Sequence, residues 1–448
     1  MEVSSSETLS ILWRTSPPSN DYENARCRVF NGRKPEHFPL AIVKANKVEH
    51  IVAAVKLAAE LDVCIAVRSG GHSLSCWTIR HGAILIDLED YQHLSYDDET
   101  HEVQASPSTL GADLLTFLAK KKRFFPVGHS GDIGLGGYLL QGGIGLNSRG
   151  YGYACEYITG LDIITADGEI KHCDKTENSD LYWAARGAGP EFPAIVIRFF
   201  LKTCPLLPVC KRSRYVWPAA MYGKVFKWIE ELLNSLSEDV EIAVFGFVLP
   251  RLNQPGLVLH ATAFGDSSED VREKLTPIIK NHPPGTFLAE DFVSTNFPED
   301  YDLGKDTMPR GARYFTDSVF LKPGIDFVAT CKGMFTELKH PRALAYWQPM
   351  KTNIDRILPD MAMSIHSHHY VSLLAIYEDP SEDQQQISWI IDRMKSLEPA
   401  ILGTFIGDAH PVERPSNYWS EEAEERVITI GRKWDPSSRI RGIVLSDA

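Results

Sequence analysis

The sequence predicts an α+β fold: a mixed α/β domain followed by a domain whose antiparallel sheet is covered by helices. Three observations carry this expectation. At 448 residues the chain is too long for one compact core, so two domains are expected. Up to Leu201, short apolar runs of β character alternate with stretches of helical period. At Cys204-Pro205-Leu206-Leu207-Pro208 the composition shifts and the β runs beyond it lengthen, which places a domain boundary there.

The elements follow in order. Pro39 to Val43 reads as a short strand. Val48 to Leu61 reads as an amphipathic helix, because Val52, Val55, Ala58 and Ala59 recur at helical spacing. Val63 to Val67, Ala83 to Leu88 and Glu102 to Ala105 are β runs, and Ala112 to Lys121 is a helix. Gly128 to Gly152 is a loop, since ten of its 25 residues are glycine against roughly 7 % in average proteins. Ile158 to Thr165 is a strand closed by Ala166-Asp167-Gly168-Glu169, a turn of hairpin type. A helix over Asp180 to Gly187 and a buried strand over Ile195 to Leu201 complete the first part.

Past the boundary, helices are expected at Ala219 to Ser235 and Asp270 to Lys280. Strands are expected at Glu241 to Leu249, Leu257 to Ala263 and His369 to Tyr377. This order fits helices on one face of a largely antiparallel sheet. Gly285 to Tyr314, rich in Pro, Gly, Asp and Phe, reads as a long loop. A helix over Glu421 to Lys433 and a turn-like segment, Trp434 to Ile440, close the chain.

Composition narrows the function. With 46 basic and 59 acidic residues the net charge is −13, which argues against nucleic acid or an anionic membrane as partner. The eight cysteines are scattered without a CxxC, so neither a zinc site nor a disulfide scaffold is indicated, and no metal is expected. Met1 to Asn20 is polar and lacks the apolar core of a signal peptide, and no run of about 18 apolar residues occurs. A cytoplasmic protein is the expectation.

Two glycine-dense loops carry the chemistry. The first is Val67-Arg68-Ser69-Gly70-Gly71-His72-Ser73, and the second holds Gly134-Leu135-Gly136-Gly137 and Gln141-Gly142-Gly143-Ile144-Gly145. Glycine at this density lets backbone approach a large ligand and offers unblocked N–H donors. Two such loops behind β runs point to a long phosphate-bearing cofactor held by main chain. The spacing is not the dinucleotide fingerprint, and no acidic residue stands about 20 positions downstream at the end of a second parallel strand.

These motifs, with Ile86-Asp87-Leu88, Pro126-Val127-Gly128-His129-Ser130-Gly131-Asp132-Ile133 and Leu181-Tyr182-Trp183-Ala184-Ala185-Arg186-Gly187, stand in a distinctive order. So do Ser148-Arg149-Gly150-Tyr151-Gly152 and Ser416-Asn417-Tyr418-Trp419. The chain resembles FAD-dependent oxidoreductases of the vanillyl-alcohol-oxidase/p-cresol-methylhydroxylase class, in the berberine-bridge-enzyme-like and 6-hydroxy-D-nicotine-oxidase-like branch. The resemblance is strong over residues 28 to 202, moderate over 415 to 445 and general between. It implies a split FAD-binding domain of two α/β subdomains, residues 1–204 completed by the tail 411–448, with a substrate domain over 205–410.

The resemblance also implies roles. His72 matches the histidine that bonds covalently to the 8α-methyl of the flavin. Ser130 stands where some relatives carry a second, cysteine tether; serine cannot form the thioether, so a single link through His72 is expected. Arg68, Ser69, Gly70, Gly71, Ser73, Gly128, His129, Asp132, Ile133, Gly134, Gly136, Gly137, Gly142, Gly143, Gly145 and Leu146 are expected around the cofactor. Val196 and Asn417 join them, and Ile133 lies where it would restrict oxygen. Cys155 reads as a packed thiol.

For catalysis the candidates are Tyr418, His368 and Tyr370. Tyr418 either faces the flavin or fills a domain junction. Alternation puts His366, His368 and Tyr370 on one face, either lining a substrate pocket or capping a sheet. Tyr346, Trp347 and Gln348 are candidates for the same pocket, with core packing the alternative for Trp347. The expected function is oxidation of an alcohol, amine or activated C–H centre of a small organic metabolite, with electrons passed to O₂. A biosynthetic role such as secondary metabolism is expected over extracellular sugar oxidation. The other readings are a flavin-retaining but non-redox cyclase or isomerase, and a non-catalytic flavin-binding protein.

Overall fold

The computed structural model describes residues 9–249, 253–295 and 307–440. Among the described residues three large sheets, with a two-stranded one joining Arg123–Phe124 to Cys204–Pro205, organise the fold. The first is four-stranded, in the order Ser10–Trp13, Ala41–Lys44, Ile84–Asp87, Ile65–Arg68. Its last three strands run parallel, and the helix Val48–Glu60 buries Ile51, Ala54, Val55 and Ala58 in the core beside it. The second is a five-stranded antiparallel sheet, ordered Leu94–Asp97, Glu102–Ala105, Ala194–Lys202, Ile158–Thr165, Ile170–Asp174. The Asp167-Gly168 turn closes the expected hairpin between its last two strands, with Gly168 at φ +85°.

Sheet membership changes between Lys202 and Val209. From there the strands form an eight-stranded antiparallel sheet, whose central strands are Gln254–Gly265, Val240–Leu249, Leu344–Pro349 and His369–Tyr377. The helices Tyr222–Leu232, Phe327–Thr336 and Asp383–Lys395 share one hydrophobic core with this sheet, around Phe226, Phe335 and Trp347. Strand alternation then turns Tyr346, Gln348, Tyr370 and Ser372 away from that core and towards a cavity. The tail returns to the N-terminal part. The helix Glu421–Trp434 packs on Ser179–Ala184, and Trp434 Nε1 donates to Asp180 Oδ2 at 2.9 Å.

Two expected loops hold regular structure. Leu288–Ser294, inside the stretch Gly285 to Tyr314, is an edge strand; residues 296–306 of that stretch lie outside the described residues. Its register comes from pairing with Val209–Pro218, a long-range contact that local composition does not encode. The second glycine loop contains a short helix, Leu135–Leu140. Glycine disfavours helix by about 1 kcal/mol, but tertiary contact overrides this here. A Cβ at Gly136 would collide with Ser69 and would lie 2.9 Å from the Pro107 side chain, so only glycine lets the helix approach the first loop.

Candidate cofactor cleft and active site

The strand Ile65–Arg68 delivers the first glycine loop against the second. The contact is backbone to backbone: a Cβ at Gly70 would lie 2.7 Å from Gly134 N, and a Cβ at Gly134 would lie 2.7 Å from Gly70 N. Gly71 sits at φ +72°, a conformation that favours glycine, and its carbonyl accepts from Phe30 N at 2.8 Å. The Phe30 ring stacks on His72 with centroids 4.0 Å apart. His72 is thus held from one side by an aromatic face.

Beside these loops lies a cavity of about 390 Å³. Ser69 to Ser73, including His72, line it from the first loop, and Gly128, His129, Ser130, Ile133, Gly134 and Gly137 from the second. A narrower cavity of about 160 Å³ adjoins it, bordered by Gly136, Pro107 and Val196. Val67, Ser69, Ser73, Thr78, Gly137 and Gln141 line both. The trough is broad and aromatic-walled at one end, and narrow and glycine-lined at the other. That shape fits FAD. The His72 ring, held at the rim of this trough by Phe30, fits the same ligand.

Several of the expected cofactor residues are engaged by the protein itself. Arg68 is fully buried; it pairs with Asp87 at 2.7 Å and donates to the carbonyls of Ala25 and Arg26. Gly142 and Gly143, at φ +108° and +79°, face Met363 and Ala154, and their carbonyls accept from Cys155 and Ala154. Gly145 is closed off by Tyr138 and by the carbonyls of Pro126 and Val127, and Leu146 is core. Asn417 is exposed and lines neither cavity. Its neighbour Trp419 anchors the tail by donating to Gly187 O at 3.0 Å.

The catalytic candidates separate. Tyr370 lines the cavity, and its hydroxyl donates to Asp408 Oδ2. Tyr418 is buried and lines neither cavity, its hydroxyl 3.4 Å from Arg414 O. His368 precedes the strand, where the alternation with Tyr370 does not hold, and turns to Asp355 at 3.8 Å. His369 stacks on Phe327 in the core of the other face. Trp347 is core, whereas Tyr346 and Gln348 line the cavity. Cys155 is fully buried, its sulfur 3.8 Å from that of Met361.

Asp408, Phe245, Leu374 and Phe405 also line the cavity and carried no sequence signal. They converge from separate segments, and none stands in a recognisable motif. Burial raises Asp408 above the usual carboxylate range, although the Tyr370 hydroxyl opposes this. Burial, with Asp408 beside it, also pushes the Tyr370 phenol well up. The site therefore holds a buried hydroxyl–carboxylate pair at the wall of a largely apolar chamber.

Comparison with known proteins agrees with this geometry. Residues 39–174 match a family model described as "FAD binding domain". The chain is 99 % identical over all 448 residues to the FAD-linked oxidoreductase nodO of Hypoxylon pulicicidum, covering 100 % of both. It is 52 % identical, over 98 % of both chains, to the FAD-linked oxidoreductase janO of Penicillium janthinellum. Among solved structures, 6-hydroxy-D-nicotine oxidase from Arthrobacter nicotinovorans superposes with a TM-score of 0.84 at 18 % identity, covering 100 % of both chains. The chain belongs to the FAD-linked oxidoreductases and is an FAD-dependent oxidoreductase.

Proposed function

We propose that the enzyme oxidises an alcohol, amine or activated C–H centre of a small, largely apolar metabolite, and that O₂ takes the electrons. One observation carries the substrate class. The chamber facing the loops is walled by Phe245, Met308, Leu344, Tyr346, Leu374 and Phe405, with few polar groups among them. Such a wall suits a planar or polycyclic apolar molecule better than a sugar. Residues 1–204 with 411–448 would hold the cofactor, and 205–410 would cover it. The cofactor would be tethered once, through His72. A cytoplasmic, biosynthetic role, as in secondary metabolism, fits such a substrate.

When bound, the flavin supplies a two-electron acceptor. The chain's residues do the rest. The apolar wall excludes water and orients the substrate. Tyr370 takes the proton released from the substrate hydroxyl, amine or carbon, and passes its own to Asp408. Asp408 is suited to this because its buried carboxylate binds a proton more readily than an exposed one. Mixing the purified enzyme anaerobically with apolar alcohols and with oligosaccharides tests the reading. The expected result is loss of absorbance near 450 nm with the former and peroxide on admitting air. Bleaching by oligosaccharides alone would overturn the substrate class, and no bleaching by any hydride donor would overturn the redox role.

A further inference from the structure

Asp132 stands on the second glycine loop, two residues from Ser130. Its Oδ1 is 3.1 Å from His72 Nε2. The same oxygen accepts from Ser130 Oγ at 2.7 Å, and Oδ2 accepts from Arg310 at 3.0 Å. The carboxylate is therefore fixed from two further sides. His72 in turn is fixed by the stacked Phe30 ring, and the Arg310 guanidinium lies 5.5 Å from the Phe30 centroid. The His72–Asp132 approach is short but not aligned as a directed hydrogen bond. Contacts of this kind tighten when a ligand seats the ring.

From this juxtaposition we infer that Asp132 is the positioning residue for covalent flavin attachment: it holds the proton of His72 on Nε2, leaving Nδ1 as the nucleophile and the linking atom. The inference rests on the His72 tether proposed above. A carboxylate beside one ring nitrogen sets the tautomer, and the other nitrogen keeps its lone pair. The step balances as follows. Nδ1 forms a bond to the 8α carbon and one C–H bond of that methyl group breaks. The two electrons of that bond pass to the ring system, the proton ends on the reduced ring, and dioxygen then removes the electrons as hydrogen peroxide. The alkylated imidazole is cationic, and Asp132 neutralises it. In the native protein His72, Ser130 and Arg310 outweigh burial and hold the Asp132 carboxyl well below its usual range, so the charge is present when needed.

The test compares wild type, Asp132→Asn and Asp132→Glu as purified holoproteins. Each is denatured in acid; intact mass gives the linked fraction, and the supernatant gives released FAD. The expected result is full linkage in wild type, a loss of tenfold or more in Asp132→Asn with FAD still bound non-covalently, and recovery in Asp132→Glu. Asp132→Asn linked as fully as wild type overturns the inference alone. Wild type with no mass gain overturns the tether itself, and the inference with it. A second readout does not depend on any variant folding: NMR of the wild-type flavopeptide is expected to show the bond at Nδ1, and attachment at Nε2 overturns the inference.

Discussion

His129 on the second glycine loop and Glu241 on the strand Val240–Leu249 form an ion pair, Nε2 to Oε1 at 2.8 Å. The same Oε1 accepts from Asn147 N at 2.8 Å. One carboxylate of the eight-stranded sheet thus holds both ends of the loop stretch from 129 to 147. The glycines that let the loop reach the cofactor give it little stiffness of their own. The pair supplies that stiffness from outside.

The pair has a pH signature. Burial works to lower His129, but Glu241 outweighs it and raises the imidazole above its ordinary value. Burial works to raise Glu241, but His129 and Asn147 N outweigh it and lower the carboxyl. A raised histidine contributes stability below its unfolded value and loses it as pH rises through the folded one. A lowered glutamate contributes above its unfolded value and loses it as pH falls through the folded one. The pair's contribution is therefore greatest at mildly acidic pH. The His129 side chain is 39 % exposed, so the effect is modest. Glu241→Gln is expected to lower stability by about 1–3 kcal/mol and to flatten the pH dependence of Tm between the two limbs. An unchanged Tm–pH profile would refute the assignment.

Tyr370 and Asp408 are expected to act as a unit. Tyr370→Phe and Asp408→Asn each lose the proton path and should lower kcat by about 10²–10⁴-fold, with flavin content unchanged. The double variant should be little worse than either single one. Because Asp408 is raised and must be ionised to accept a proton, wild-type kcat should fall as pH drops through its raised value. That acid limb should vanish in Asp408→Asn. Stopped-flow flavin reduction across pH measures both effects.

The contact between Gly70 and Gly134 predicts a different failure. Gly70→Ala places a methyl group 2.7 Å from Gly134 N, where backbone must move. Overpacking of this kind costs about 1–3 kcal/mol, and the loops would part. The expected outcome is protein that folds but takes up little FAD during its synthesis, read from the ratio of visible to ultraviolet absorbance of the purified protein. Gly137→Ala, where a Cβ meets nothing within 4 Å in the protein, separates packing from cofactor contact. It should fold normally and lose flavin only where the methyl group meets the ligand.

The two loops were legible because glycine density is a local signal, and so was the strand His369–Tyr377 that presents Tyr370. The roles of individual glycines were not. Gly142 and Gly136 look alike in sequence, yet one packs against Met363 and the other lets the helix approach Ser69 beside the cofactor trough. Arg68 read as a cofactor ligand because it begins the first motif, whereas its partner Asp87 comes from the neighbouring parallel strand. Asp408 lies in a short 3₁₀ segment, Ile406–Asp408, and becomes a site residue only because Tyr370 reaches it from a strand 38 positions away. Pairings of that range follow from sheet order, which periodicity does not report.

Gln348 sets what the chamber accepts besides apolar surface. It is 1 % exposed, and its Oε1 accepts from the Tyr346 hydroxyl at 2.9 Å, while its Nε2 has no partner. A buried amide N–H without an acceptor carries a desolvation cost of about 1–3 kcal/mol. A substrate oxygen placed there relieves that cost, so the donor selects metabolites bearing a hydroxyl, ether or carbonyl. Gln348→Leu keeps the volume and removes the donor. For an oxygenated substrate KM should rise by roughly 5–150-fold, the equivalent of that energy, with kcat little changed. For the matching hydrocarbon KM should stay level or fall, since an unpaired polar group has been removed. Equal shifts for both substrates would show that Gln348 only shapes the wall.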